Sequence, residues 1–191
     1  MQIASWNVNS VRTRLDHVLN WLEHSEADLL ALQETKVDDP QFPLEPFLQR
    51  GYQVQIHGQK AYNGVALISR TPLEDVRMGF SAELPDDDEA EELGAQKRVI
   101  SALIDGVRVV NLYVPNGSSL SSDKYSYKLT WLSCLERYLR AIQTRDEPLC
   151  VMGDFNIGLE ARDLPDPDRL TGGIMASDRE RNALKAALGP D

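Results

Sequence analysis

The 191-residue chain is long enough for one sizeable hydrophobic core, so a single domain spanning 1–191 is the expected organisation. Apolar residues make up 42% of it, and no apolar run approaches the ~20 residues of a membrane span, which excludes a membrane partner at this stage. The formal net charge of −10 argues against a nucleic-acid partner only weakly, because six acids lie in PDDDEAEE at 85–92, which we predict to be a solvated loop.

The N-terminal residues lack the pattern of a signal peptide. The two cysteines, Cys134 and Cys150, are expected to be buried thiols rather than a disulfide or a metal site. Both observations predict a cytoplasmic protein.

Apolar periodicity predicts the elements in chain order. A first strand is expected at 2–8, and a helix capped by Ser10 then continues to Leu22. Short strands follow at 27–34, 52–58, 64–70, 97–104 and 107–114, with an Asp105-Gly106 hairpin turn between the last two. A long helix at 123–143, a buried strand at 149–153 and a last helix at 177–190, with Ser177 and Glu180 as a capping box, complete the chain. Helices mixed with hairpins indicate a layered α/β protein.

Four of these strands carry polar residues where they leave the core: Asn7, Glu34, Tyr113 and Asp154. Each residue alone has a structural interpretation, since Asp and Asn are common in turns and helix caps. If the four strand ends meet at one rim, they form a group of carboxylate, carboxamide and phenol oxygens, which suits Mg²⁺ or Mn²⁺. The scattered histidines do not indicate a zinc site.

Five segments at these strand ends resemble the exodeoxyribonuclease III family of AP endonucleases, within the endonuclease/exonuclease/phosphatase superfamily. They are WNVNSVR (6–12), ADLLALQETK (27–36), NGVALISR (63–70), NLYVPNG (111–117) and MGDFNI (152–157). The resemblance runs from Met1 to about Leu188 and implies an α/β sandwich of two packed β-sheets flanked by helices. Family chains continue through D-[ST]-[FY]-R, N-x-G-x-R-[LIVM]-D and Ser-Asp-His segments that are not in this sequence. We therefore expect a C-terminally truncated domain with an incomplete second sheet and doubtful activity.

The resemblance also implies roles for individual residues. A divalent metal, Mg²⁺ or Mn²⁺, would be bound by Glu34 with help from Asn7, and Asp154 and Asn156 would belong to the same metal site. Asp154 would take part in proton transfer, Asn156 would orient water or stabilise the phosphorus, and Tyr113 would hydrogen-bond a phosphate oxygen.

Contacts to phosphate or the DNA backbone are implied for Asn116, Arg98, Lys124 and Lys128. The implied function is a Mg²⁺-dependent DNA repair phosphodiesterase that cleaves 5′ of abasic sites and trims 3′ ends. Its partner would be duplex DNA with abasic sites or blocked 3′ ends, and a complete chain is expected to be monomeric. Two alternatives stay open: a superfamily phosphatase acting on inositol phosphates or lipids, and an incomplete fragment that binds DNA or a partner.

Overall fold

The computed structural model describes residues 1–189, which divide into two compact units. The first unit consists of Met1–Tyr113 with Asp146–Asp154 and holds both β-sheets. The second consists of Val114–Arg145 and the chain from Phe155 onward, and is helical. Among the described residues, no helix is long and apolar enough to cross a membrane.

The first sheet contains four strands in the order β1-β2-β4-β3. The strands are β1 (Ile3–Asn7), β2 (Leu29–Gln33), β3 (Gln53–His57) and β4 (Val65–Ser69). β1 and β2 run parallel with Asn7 opposite Gln33, so both strands end at the same edge of the sheet.

The second sheet has the order β5-β6-β7-β8. Its strands are β5 (Glu74–Met78), β6 (Val99–Ile104), β7 (Val107–Tyr113) and β8 (Leu149–Asp154). β6 and β7 form the predicted hairpin, with Asp105 at φ 49° and Gly106 at φ 79°. β7 and β8 are parallel and end together, with Tyr113 opposite Asp154.

The hydrophobic core of the first unit lies on both faces of the first sheet. One face packs on the second sheet, and the residues that meet there are Leu29, Ala31, Val65, Leu67, Ile100, Ala102, Ile104 and Val109. The other face packs Leu30 and Leu32 against Val18 and Leu22 of helix α1 (Leu15–His24). β2 is therefore buried at every position, which explains its uninterrupted apolar sequence. The predicted α/β sandwich is confirmed.

The second unit is built around α4 (Asp123–Gln143), whose 21 residues match the predicted range. α4 packs against α6 (Asp178–Leu188), and the short α5 (Pro167–Leu170) precedes α6 in the chain. The side chain of Ser177 accepts from the backbone of Glu180 while that glutamate bonds back, so the predicted capping box is present. Pro190, predicted to help terminate this helix, lies outside the described residues.

The structure corrects the predicted start of the first helix. α1 begins at Leu15 rather than after Ser10, which does not act as its cap. Asn9 and Ser10 have φ of 43° and 90°, and the backbone N–H of Ser10 donates to the carbonyl of Glu34 at 2.7 Å. This loop is tied to the end of β2, and its left-handed backbone cannot join a helix.

The acidic segment 85–92 is also not a loop throughout. Asp88–Gly94 forms helix α3, with the Asp87 side chain accepting from the backbone N–H of Ala90. Acidic residues in the first turn suit the positive end of the helix dipole, and Ala90 and Leu93 are buried. The first unit also contains the short α2 (Glu45–Leu48) and a 3-10 turn at Asp39–Gln41. Cys134 and Cys150 are both free thiols; Cys134 is buried as predicted, whereas Cys150 is only half-buried.

Candidate metal and phosphate site

Four of the predicted site residues lie together in the first unit. The parallel ends of β1 and β2 supply Asn7 and Glu34, and the parallel ends of β7 and β8 supply Tyr113 and Asp154. The Asn7 amide nitrogen donates to Glu34 Oε1 and to Asp154 Oδ2, each at 2.7 Å. The Tyr113 hydroxyl lies beside the Glu34 carboxylate and lowers its pKa. Two carboxylates thus share one amide donor beside a phenol.

The orientation of the Asn7 side chain is fixed by its other atom. Asn7 Oδ1 accepts from the backbone N–H of Asn9 at 3.0 Å, so the amide nitrogen faces the two carboxylates. In this orientation the Asn7 amide nitrogen holds the Glu34 and Asp154 carboxylates in place, and the amide oxygen is directed at the backbone N–H of Asn9. Its predicted role as a metal ligand stays a prediction.

The backbone at Glu34 is held in a sparsely populated conformation. Its φ is 53°, in the left-handed region that side chains other than glycine rarely adopt. The next residue, Thr35, donates its backbone N–H to the carbonyl of Gly64. A Cβ at Gly64 would come within 2.2 Å of the Thr35 hydroxyl, so only glycine lets these two loops approach. Strain of this kind is typical of functional sites, where the surrounding fold maintains it.

Gly153 explains how Asp154 reaches the site. Its φ is 137°, and a Cβ there would lie 2.0 Å from the carbonyl oxygen of Leu112. Glycine therefore permits β8 to pair closely with β7 directly before the aspartate. In the GDFN segment, packing requires the glycine that comes directly before the Asp154 carboxylate of the candidate site.

The local electrostatics set opposite protonation states for Glu34 and Tyr113. Burial opposes ionisation of Glu34, but hydrogen bonds from Asn7, Lys36 and Tyr113 outweigh it and lower the pKa of the carboxyl. Burial, together with the charge of Glu34, raises the pKa of Tyr113 to about 12, against the opposing effect of Arg98. At neutral pH Glu34 is therefore a carboxylate and Tyr113 a hydrogen-bond donor.

Lys36 contributes more directly than the sequence indicated. Its ammonium lies 2.9 Å from Glu34 Oε2 and also donates to the Asn9 side chain. The QETK ending of the second signature segment thus places a cation beside the carboxylate. Arg98 is half-buried, with its guanidinium 4.6 Å from the Tyr113 ring centroid and donating to the Tyr113 carbonyl. Its predicted DNA contact stays a prediction.

A buried amide pair beneath the site was missed by sequence reasoning. Gln33 Nε2 donates to Asn111 Oδ1 at 2.8 Å, and Asn111 Nδ2 donates to the carbonyls of Leu32 and Ala66. The pair links the two sheets just below the strand ends. The available signal was Asn111 itself, a polar residue inside the apolar run of β7.

The remaining predicted residues lie in the second unit. Asn156 has φ 48°, and its amide nitrogen donates to the carbonyl of Val114 at 2.9 Å. Asn116 is exposed, and its side-chain oxygen accepts from the backbone N–H of Ser118. Lys124 is exposed on α4, so a role in binding phosphate stays a prediction.

Lys128 corrects the prediction of a DNA contact. Its side chain is 0% exposed, and its ammonium lies 2.6 Å from Glu180 Oε1. A lysine enclosed and paired in this way cannot reach a phosphate on the DNA backbone, because contact would require breaking a buried ion pair.

The donor set fits a hard divalent cation. Within residues 1–189 there is no group of three or more His, Cys, Asp and Glu side chains placed to hold a metal. The pair formed by Glu34 and Asp154 offers only oxygens, and two carboxylates completed by water and phosphate are typical of Mg²⁺. Bringing two like charges to one amide group also favours a cation between them.

Comparison with known proteins agrees with the fold described above. The profile of the Endonuclease/Exonuclease/phosphatase family matches residues 4–188. Exodeoxyribonuclease III of Haemophilus influenzae is 34% identical over 186 residues, which cover 95% of this chain and 64% of that protein. The chain thus spans less than two thirds of this relative.

Two solved structures resemble the whole described fold. The 3′ phosphatase NExo from Neisseria, bound to a product DNA hairpin, superposes with a TM-score of 0.89 at 40% identity, covering 98% of this chain and 70% of that one. An AP endonuclease from Archaeoglobus fulgidus gives a TM-score of 0.87 at 38% identity, with the same coverage of both chains. The chain belongs to the Endonuclease/Exonuclease/phosphatase family, in its exodeoxyribonuclease III and AP endonuclease branch.

Proposed function

We propose that this chain carries the catalytic site of a divalent-metal-dependent DNA repair phosphodiesterase. The observation that supports this proposal most is the shared amide of Asn7, which holds the Glu34 and Asp154 carboxylates together with the Tyr113 hydroxyl beside them. Phosphodiester hydrolysis needs an acceptor for the proton of the attacking water and donors for the phosphoryl oxygens. The four side chains include both kinds of group.

Glu34 and Asp154 are the residues that would hold the metal, which we propose to be Mg²⁺ or Mn²⁺. Such an ion, when bound, offsets charge on the phosphoryl oxygens and makes bound water more acidic. Glu34 is suited to this position because its pKa is lowered and it is ionised at neutral pH. Lys36 and Asn7 limit the repulsion between the two carboxylates in the absence of the ion.

The chain's own side chains then have separate tasks. Asp154 accepts the proton of the attacking water, and Asn7 fixes the direction of that carboxylate. Tyr113 stays protonated, because its pKa of about 12 is far above neutrality, and donates to a phosphoryl oxygen. Asn116 and Asn156 are proposed as further donors to the phosphate, and Asn156 also as a ligand of the metal.

The substrate we propose is duplex DNA with an abasic site or a blocked 3′ end. The names of two similar proteins, an AP endonuclease and a 3′ phosphatase bound to a DNA hairpin, support this choice. Arg98 and the exposed Lys124 are the candidates for contacts with the DNA backbone. The net charge of −10 makes these few cations and the metal necessary for binding a polyanion. A cytoplasmic location and a monomeric state stay predictions.

The test is cleavage of a duplex that carries one abasic-site analogue, assayed with Mg²⁺ and with EDTA. Asp154→Asn, which keeps the shape of the side chain, is the matched variant, and circular dichroism checks its folding. We expect metal-dependent incision that falls by about 10³-fold or more in the variant. Incision at near wild-type rate by folded Asp154→Asn would remove Asp154 from the mechanism.

Further substrates separate the alternatives. A duplex with a 3′-phosphate tests the activity named for the Neisseria protein, and an inositol phosphate tests the phosphatase alternative. Turnover of the inositol phosphate alone would replace DNA as the substrate class. DNA binding without turnover of any substrate would favour the fragment that only binds DNA.

A further inference from the structure

A buried lysine in the second unit is bonded to both loops that carry proposed phosphate-binding asparagines. Lys128 projects from α4, and its ammonium donates to the backbone carbonyl of Asn156 at 2.8 Å and to that of Asn116 at 3.3 Å. The two loops follow different strands in the chain, β7 and β8. One charged group therefore fixes a position in each of them.

The ammonium is in turn held by Glu180, which is also 0% exposed. Glu180 Oε1 accepts from Lys128 and from the backbone N–H of Met175, while Oε2 accepts from the backbone and hydroxyl of Ser177. The Ser177 hydroxyl is also hydrogen-bonded to Tyr125 of α4, at 2.8 Å. This carboxylate is saturated with donors, so the position of the lysine is fixed from both helices.

The loops that Lys128 contacts include residues in left-handed backbone conformations. The backbone of Asn156 has φ 48°, a conformation that needs support from outside the residue. Gly117, next to Asn116, has φ 92°, and a Cβ there would lie 3.2 Å from Lys128 Cδ. The lysine stem thus packs against one loop while its ammonium bonds both.

We propose that Lys128, held by Glu180, is a positioning residue that sets the placement of Asn116 and Asn156 for contact with the scissile phosphate. This inference rests on the proposed function and assigns Lys128 a role other than direct contact with DNA. A buried ion pair seldom stabilises a fold more than apolar residues of the same size. Its value here lies in directing an ammonium at two carbonyls that an apolar side chain could not hold.

The test variant is Lys128→Met combined with Glu180→Gln, which removes both charges together and leaves no buried charge unpaired. Its control is Arg108→Met combined with Asp75→Asn, since Arg108 is also 0% exposed and bonded to an acid, but near the start of β7. Lys128→Arg is the conservative variant, which keeps a cation able to donate to carbonyls. All are measured well below their unfolding temperatures.

The first readout is hydrogen exchange and does not need activity. We expect faster amide exchange at 116–118 and at 155–158 in the test variant, and unchanged exchange at both loops in the control. Unchanged exchange at the two loops in the folded test variant would overturn the inference. If the wild-type chain cleaves no substrate, the proposed function fails, and this readout alone then decides whether Lys128 holds the loops.

The second readout is kcat on the abasic duplex. We expect a loss of roughly 10- to 100-fold in the test variant with a smaller change in KM, because a misplacement of about 1 Å can cost about 10²-fold. Lys128→Arg restores part of it. The substitutions of the test variant can also be introduced into a chain that already carries Asn116→Ala and Asn156→Ala. They should then cause no further loss of kcat, because Lys128 acts through these two residues. Fully additive losses would show that Lys128 does not act through them and would refute the inference.

Discussion

Replacing Asn7 by aspartate tests the central geometry of the site. The change preserves the shape of the side chain and its acceptor for the Asn9 N–H, but removes the two N–H donors that bond Glu34 and Asp154 at 2.7 Å. It also places a third carboxylate against two others. We expect the folded state to be destabilised without metal, and a divalent cation to reverse much of that loss.

The magnitude follows from the two hydrogen bonds and the added charge. A hydrogen bond to a charged group contributes about 1.5–3 kcal/mol, and solvent screening at these half-buried carboxylates reduces this to about 1 kcal/mol each. With repulsion included, the free energy of unfolding in EDTA should fall by roughly 2–3 kcal/mol. For a chain of this size that corresponds to about 5–10 °C in Tm.

The assay is thermal unfolding in EDTA and in Mg²⁺, followed by circular dichroism. Mg²⁺ should raise the Tm of Asn7→Asp more than that of the wild type, because ligands that bind only the folded state stabilise it. Asn20→Asp, which adds the same charge at an exposed position of α1, is the control and should unfold near the wild type. Equal Tm values for Asn7→Asp and wild type in EDTA would refute the view that the shared amide holds the carboxylates.

Three further predictions concern the strand ends and their surroundings. Gly153→Ala should lower the free energy of unfolding, measured by denaturant titration, by about 2–4 kcal/mol, because its Cβ would meet the Leu112 carbonyl at 2.0 Å. The control is Gly172→Ala, at a glycine with φ 79° and open space around it, and this variant should lose only about 1 kcal/mol. Burial and the charge of Lys97 lower the pKa of His57 to about 4 in the folded state, below its ordinary 6.5. The unfolded chain therefore binds a proton at His57 between these two values and the folded chain does not. The contribution of His57 to the free energy of unfolding is complete above pH 6.5 and is lost as the pH falls towards 4. Urea titrations should show a loss of about 2–3 kcal/mol over this range that is absent in His57→Gln, and an equal slope in both would contradict the assignment. Tyr113→Phe should lower the free energy of unfolding by no more than about 1 kcal/mol, because its hydroxyl interacts with the half-buried Glu34 carboxylate. It should reduce cleavage of the abasic duplex by about 10²-fold, since one donor to the phosphoryl oxygen is lost, and undiminished turnover would exclude that role.

The sequence predicted the elements whose local pattern and final environment agree. β2 and β4 are apolar at successive positions because both of their faces are buried, and this run is visible without a structure. The leucine spacing of α4 predicted its full extent, because one face of the helix is buried and the apolar residues recur on that face. The polar residues at the strand ends were also evident, because they interrupt these patterns.

Local patterns failed where distant backbone atoms decided the outcome. α1 starts late because the loop before it bonds to the end of β2, and nothing near Ser10 in the sequence encodes that contact. The acidic segment became helix α3 because two apolar residues within it find buried positions. Lys128 looked like a surface cation until Glu180, 52 residues away, proved to pair with it.

The sequence by itself determined which side chains are available at the strand ends: Asn7, Glu34, Tyr113 and Asp154. Only the tertiary structure decided that they meet, because Asn7 and Asp154 are 147 residues apart and belong to different sheets. Their approach depends on two parallel strand pairs, in each of which the two strands end side by side. It also depends on the packing of one sheet against the other. Hydrogen-bond register and sheet packing are properties of distant segments together, so no single segment contains them.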